Sequence, residues 1–123
     1  MSNLDQRRFE RFRIEPMYSA VTVQITEDVH VRGVDGHLYE VSEAGARLEV
    51  DEPLAPGTPV SLDMRLPGEA ASILATGCIV WCADAEDDPG ARRMGVSFER
   101  FSTPGGRARL CRYLGSGYAH RAA

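Results

Sequence analysis

The chain has 123 residues, which suits one compact domain and is too short for two well-packed cores. Its 43% hydrophobic and 26% charged residues are typical of a globular protein rather than a disordered chain. A net charge of -4 disfavours a protein that coats nucleic acid by charge alone. We therefore expect a single domain with no DNA or RNA partner.

All 14 basic residues are arginine, which excludes chemistry that needs a lysine, such as a Schiff base. Four of these arginines fall within residues 1–13, so the start of the chain is locally basic and the remainder is acidic. We expect residues 1–16 to form a flexible arginine-rich arm on an acidic body.

The cellular compartment is predicted from what the sequence lacks. No run approaches the roughly 18 apolar residues of a membrane-spanning helix, and the N-terminus has no apolar signal region. The odd number of cysteines, without a CxxC pair, favours a reduced compartment. We expect a cytoplasmic protein without membrane insertion or a metal site, in which Cys78 and Cys82 share one face of a strand and pack as small hydrophobic side chains.

Short runs of Val, Ile, Leu and Thr between turn residues predict a mainly β fold. Asp35-Gly36 is expected to form a tight turn, and the proline-rich segment after residue 50 a loop. The expected strands are 20–26, 29–34, 38–41, 46–50, 60–66, 72–83 and 94–98.

The pattern changes near residue 101, where apolar residues begin to recur at helical spacing. Ser102 or Thr103 is expected to cap this helix. Several short strands followed by one late helix predict a small closed or nearly closed barrel. We assign the barrel to residues 17–100 and the C-terminal helix to 101–117.

Catalytic motifs are missing from the sequence. It contains no GxSxG, HExxH, phosphate-binding loop or GxGxxG, and its histidines have no nucleophile beside them in a recognised arrangement. The acidic run at 84–88 is typical of a solvated loop. An enzyme, and therefore any catalytic residue, is disfavoured.

Two segments carry more specific chemistry. Arg7 and Arg11 form an RxxxR pattern before the first strand. Glu40, Ser42 and Gly45 form an ExSxxG pattern where a strand ends with an acid and a hydroxyl on one side and then turns. The glycine is expected to permit a positive-φ turn.

Together the two motifs resemble the RxxxR and [D/N]xSxxG pair of the PilZ domain family. The later runs Ile79–Trp81 and Gly95–Phe98 are similar to two late strands of that family, so the resemblance covers nearly the whole chain. It implies a six-stranded antiparallel β-barrel with a C-terminal helix, which agrees with the strand pattern. It also implies a bacterial receptor for the second messenger cyclic di-GMP.

The resemblance further implies a binding site for this ligand, alone or as an intercalated dimer. Each guanine presents N7 and O6 acceptors that an arginine fork can meet with two hydrogen bonds. Trp81 is assigned to the site as a stacking surface, with burial in the core as the alternative. The candidate ligand-binding residues are Arg7, Arg8, Arg11, Glu40, Ser42, Gly45 and Trp81.

Position 40 departs from the family pattern, because it holds Glu where the pattern has Asp or Asn. Glutamate keeps the acceptor charge but adds a methylene and a torsion, so fixing it costs more entropy. The leading hypothesis is a receptor whose arm closes on the ligand and signals to an unidentified effector protein. The alternative is a degenerate PilZ domain that binds no cyclic di-GMP and serves as a protein interaction module.

Overall fold

A computed structural model describes residues 11–14, 19–27, 30–52, 54–69, 71–83, 92–116 and 120–121 of the chain. Its secondary structure consists of short strands and one helix, in line with the expected fold class. The elements, in chain order, are β1 (Phe12–Arg13), β2 (Ala20–Glu27), β3 (His30–Val41), β4 (Gly45–Val50), β5 (Pro59–Arg65), β6 (Ile73–Ala83), β7 (Arg93–Phe101), α1 (Gly106–Leu114) and β8 (His120–Arg121).

Strands β2 to β7 form a closed antiparallel barrel. Their neighbour order is β2-β5-β6-β7-β4-β3, and β3 pairs back with β2. Closure is possible because β3, with 12 residues, is long enough to pair with β2 along its first half and with β4 along its second. The predicted six-stranded barrel with a C-terminal helix is confirmed.

The core fills the barrel because apolar side chains alternate with polar ones along the strands. In β5, Val60, Leu62 and Met64 are buried while the residues between them are exposed. Helix α1 adds Leu110 and Leu114 to the same core. Burial of a side chain of this size contributes about 1.5–3 kcal/mol.

The tight turn predicted at Asp35-Gly36 is wrong. Strand β3 runs through both residues, and it pairs with β2 as far as His30 opposite Glu27. A Cβ at Gly36 would collide with the backbone oxygen of Glu49 on β4. The glycine is therefore needed for close strand approach and not for a turn.

The predicted helix cap is also wrong. The N-cap is Gly105, whose φ is 69°, and no side chain caps the helix. Thr103 is unavailable because its Oγ1 accepts a hydrogen bond from the backbone N–H of Leu74 at 2.8 Å. A glycine, which adopts positive φ without strain, starts the helix instead of Ser102 or Thr103.

The chain joins the sheet before the predicted start of the barrel. Strand β1 extends the edge of β3 beyond β2, with Arg13 opposite Glu40. Ile14 follows it and is 4% exposed in the core. Strand β8 pairs with the other edge of β1, and neither short strand was predicted. Residues 1–10 of the expected arm lie outside the described residues.

Cys78 and Cys82 do not share a face of β6, contrary to expectation. Cys78 is half-buried and Cys82 is exposed. Between them, Val80 is an extra residue without a partner on β7, and this bulge reverses the alternation of the strand.

Candidate ligand-binding site

A pocket opens on the outer face of the barrel, beside the turn between β3 and β4. The face is the outer one because Ala46 and Leu48 of β4 are buried in the core, which leaves Arg47 pointing away from it. Strands β3, β4, β6 and β7 and the residue before β1 contribute to the wall. The lining residues are Arg11, Glu40, Val41, Ser42, Ala44, Gly45, Ala46, Arg47, Val80, Trp81, Gly95 and Val96.

Glu40 reaches this face because β3 contains a bulge. Leu38 pairs with Leu48 and Glu40 pairs with Arg47, so Tyr39 is an extra residue. Leu38 is fully buried in the core, and strict alternation would send Glu40 to the same side. The bulge turns the carboxylate outward into the pocket.

Trp81 also reaches the outer face because its strand contains a bulge. Ile79 pairs with Val96 and Trp81 with Gly95, which leaves Val80 as the extra residue. Ile79 is 1% exposed in the core, so an unbroken β6 would have buried Trp81 as well. The alternative that Trp81 is a core residue is wrong, because its indole lines the outer pocket.

The indole lies over β7 because Gly95 has no side chain. A Cβ at Gly95 would collide with Nε1 of Trp81. On the next strand Arg47 pairs with Gly95, and its Cζ lies 5.6 Å from the centroid of the indole. A cation–π contact at such a half-exposed site contributes about 0.5–1 kcal/mol.

Glu40 lies between two guanidinium groups. Its Oε1 is 3.4 Å from Nε of Arg47 and 3.7 Å from Nε of Arg11. The Glu40 side chain is only 14% exposed, whereas that of Arg11 is 51% exposed, so the Arg11 pair is well screened by solvent. Oε1 is buried and accepts no hydrogen bond from any described residue. Its electrostatic partners among the described residues are these two guanidinium groups.

Ser42 and Gly45 shape the turn itself. The backbone N–H of Ser42 donates to the oxygen of Gly45 at 2.9 Å, and Oγ of Ser42 accepts from the N–H of Ala44 at 3.1 Å. Gly45 lacks the positive φ expected for it. A Cβ there would instead collide with the backbone oxygen of Val96, so the glycine permits close contact with β7.

Helix α1 contacts the same turn through Cys111. The thiol donates a hydrogen bond to Oε1 of Glu43 at 2.6 Å. Burial, and then this hydrogen bond with the nearby negative charge, raises the pKa of the Cys111 thiol. The thiol therefore stays protonated at neutral pH and ties the helix to the turn.

A second pair of an aromatic ring and an arginine lies on β3 and β7, outside the pocket lining. The Cζ atom of Arg93 is 4.6 Å from the ring centroid of Tyr39, and Nη2 of Arg93 donates to Glu49 at 3.5 Å. Burial raises the pKa of Tyr39 despite the opposing effect of Arg93. The phenol is therefore neutral at physiological pH.

The pocket brings together most of the residues predicted from the sequence. Arg7 and Arg8 lie outside the described residues. Arg47 was missed, although its place between the core residues Ala46 and Leu48 indicates an outward side chain. The predicted residues that line the pocket are Arg11, Glu40, Ser42, Gly45 and Trp81.

Metal-ligating clusters and membrane-spanning helices are both absent from the described part of the chain. It contains no group of three His, Cys, Asp or Glu side chains that could hold a metal ion. Nor does it include a helix with the length and apolar character needed to span a membrane.

These features define a small closed β-barrel domain with a surface pocket at one strand turn. The family model described as the PilZ domain matches residues 5–116. The chain therefore belongs to the PilZ domain family, and the resemblance seen in its motifs is confirmed. Comparison with curated proteins finds no match.

Several solved structures share this fold. The PilZ domain of YcgR from Escherichia coli, with c-di-GMP, has a TM-score of 0.65 and 15% identity, covering 90% of each chain. MrkH of K. pneumonia, as a c-di-GMP complex, has a TM-score of 0.66 and 16% identity over 88% of this chain and 49% of its own. The Bacillus subtilis inhibitor of motility MotI/DgrA has a TM-score of 0.60 and 20% identity over 88% and 48%. The chain thus spans about half the length of the last two proteins.

Proposed function

We propose that this chain is a receptor for cyclic di-GMP and that the pocket beside the β3–β4 turn is its binding site. One observation carries the proposal: parts of both sequence motifs, far apart in the chain, line one pocket. Arg11 comes from RxxxR, and Glu40, Ser42 and Gly45 come from ExSxxG. In support, two of the structures with this fold, from YcgR and MrkH, are complexes with c-di-GMP.

The chemistry of the pocket complements this ligand. The Arg11 guanidinium offers a planar fork for a phosphate or for guanine N7 and O6. Trp81 offers a ring on which a purine stacks, a contact typically worth about 1–3 kcal/mol. The Glu40 carboxylate, in the wall of the pocket, can accept from the N1 and N2 donors of guanine.

In this proposal Arg7 and Arg8 join the site when the N-terminal arm closes over the ligand. Closure buries the phosphates and changes the surface that the barrel presents to an effector protein. Binding and release of the ligand are the whole function, without a catalytic step, and the receptor acts in the cytoplasm.

One observation favours the alternative of a protein interaction module without nucleotide. The Glu40 carboxylate already pairs with the guanidinium groups of Arg47 and Arg11. A ligand phosphate would have to compete with this internal anion for the same cations. The two candidate functions therefore differ in whether the pocket binds cyclic di-GMP at all.

Isothermal titration calorimetry of the full chain with cyclic di-GMP decides between them. We expect saturable binding with one or two ligands per chain. Cyclic di-AMP is the matched control, because adenine lacks the O6 acceptor and the N1–H and N2 donors, and it should bind much more weakly. No heat at high micromolar cyclic di-GMP would reject the receptor function and leave the interaction module.

A further inference from the structure

The pocket contains an arginine that belongs to neither sequence motif. Arg47 lies on β4, opposite Glu40 on β3 and Gly95 on β7, and Gly95 in turn lies opposite Trp81 on β6. These positions form one row across four hydrogen-bonded strands. Because the row is part of the closed barrel, the location of Arg47 is set by the sheet and does not depend on the N-terminal arm.

The guanidinium of Arg47 is held at two points. Glu40 Oε1 lies 3.4 Å from its Nε, and the Trp81 ring centroid lies 5.6 Å from its Cζ. The contact with Glu40 is an ion pair and not a hydrogen bond, because Glu40 Oε1 accepts none among the described residues. A guanidinium has five N–H donors, so a side chain with 38% exposure in a pocket has donors to offer a ligand.

We propose that Arg47 is a further ligand-binding residue of this site. The inference rests on the proposed function and adds a contact supplied by the barrel body. A ligand base that stacks near Trp81 lies within reach of the Arg47 fork, which can donate to a phosphate oxygen or to guanine O6 and N7. Glu40 Oε1 lies on the Nε side of the guanidinium, so the Nη groups are the ones that meet the ligand.

Arg47→Ala tests the proposal in the full chain. We expect it to weaken cyclic di-GMP binding in calorimetry by about tenfold or more, the typical effect of losing a charged hydrogen bond. Trp81 is the only tryptophan in the sequence, so its fluorescence gives an independent titration of the same pocket. Both readouts should report the same loss.

The matched control is Arg93→Ala. Arg93 also lies over an aromatic ring and pairs with a glutamate across the sheet, with a similarly exposed side chain, but it does not line the pocket. It should change stability as much as Arg47→Ala while leaving the ligand affinity unchanged. An equal loss of affinity in both variants would mean that Arg47 acts only through the stability of the sheet.

Arg47→Lys keeps the proposal testable if the alanine variant does not fold. Lysine retains the charge and the stem but not the planar fork, so we expect weaker binding than in the wild type. Wild-type affinity in Arg47→Ala, or in Arg47→Lys where the alanine variant does not fold, would overturn the role of Arg47 while leaving the receptor function intact. A wild-type chain that binds no cyclic di-GMP would instead overturn the receptor function, and this inference with it.

Discussion

At the scale of single residues, the length of the side chain at position 40 sets how close a carboxylate lies to the two arginines of the pocket. Glu40 is long enough for its Oε1 to approach the Nε atoms of both Arg47 and Arg11. An aspartate is one methylene shorter, so it would withdraw from those cations. It would also lose less entropy when it binds the N1 and N2 donors of guanine.

We therefore expect Glu40→Asp to tighten cyclic di-GMP binding by roughly twofold to fivefold, the effect of one torsion fewer to fix. Calorimetry measures the change. The control is Glu49→Asp, which shortens an acid on the same outer face that pairs with Arg93 and does not line this pocket. Unchanged affinity in Glu40→Asp would place Glu40 outside the ligand contacts.

At the scale of strands and helices, the sequence predicts alternation well and bulges poorly. The alternation in β4 and β5 indicates their inward residues correctly because neither strand itself contains an extra residue, and the bulge beside β4 lies on β3. At Tyr39 and Val80 two residues on one strand face a single residue on its partner. That mismatch depends on register with a distant strand, so no local pattern shows it. It nevertheless determines that Glu40 and Trp81 face the pocket.

Gly95 on β7 supports the site because it leaves room for the Trp81 side chain of β6. A Cβ at Gly95 would collide with the Trp81 indole, so Gly95→Ala must displace that ring. We expect weaker cyclic di-GMP binding, a change in Trp81 fluorescence without ligand, and a stability loss of about 1–3 kcal/mol. Gly33→Ala is the control, since its Cβ would meet only Thr22 Cγ2 at an ordinary 3.5 Å. Equal behaviour of the two variants would contradict this account.

Cys111 should make the folding stability of the chain depend on pH, because its thiol attaches helix α1 to the turn between β3 and β4. Burial raises the pKa of its thiol in the folded chain, and the hydrogen bond to Glu43 adds to the shift. As pH rises above the ordinary thiol pKa, the unfolded chain loses this proton first, so the stabilising contribution present at lower pH is progressively lost.

Urea unfolding across the alkaline range should therefore show a steeper fall in stability for the wild type than for Cys111→Ala. The exposed thiol of Cys82 provides the control, and Cys82→Ala should keep the wild-type slope. If Cys111→Ala also keeps that slope, the thiol does not tie the helix to the turn.

At the scale of the whole molecule, the placement of charge matters more than its sum. The net charge of -4 would repel an anionic ligand from an average surface. The pocket differs locally, because Arg11 and Arg47 face the single carboxylate of Glu40. The RxxxR motif would add Arg7 and Arg8 to this basic region. The two phosphates of the ligand would then bind a locally positive site on an acidic protein. This distribution of charge favours a small anion over an extended polyanion.

The proposed output is closure of the N-terminal arm, which amide hydrogen exchange can measure. We expect amide hydrogen exchange in residues 5–10 to slow when cyclic di-GMP binds, because contacts with the ligand's phosphates and guanines replace the water around Arg7 and Arg8. Arg7→Ala should weaken binding by about tenfold or more and reduce this protection. Arg65→Ala removes an exposed arginine of β5 away from the pocket and should do neither. Binding in calorimetry without slower exchange in residues 5–10 would show that the barrel holds the ligand alone and that signalling uses another surface.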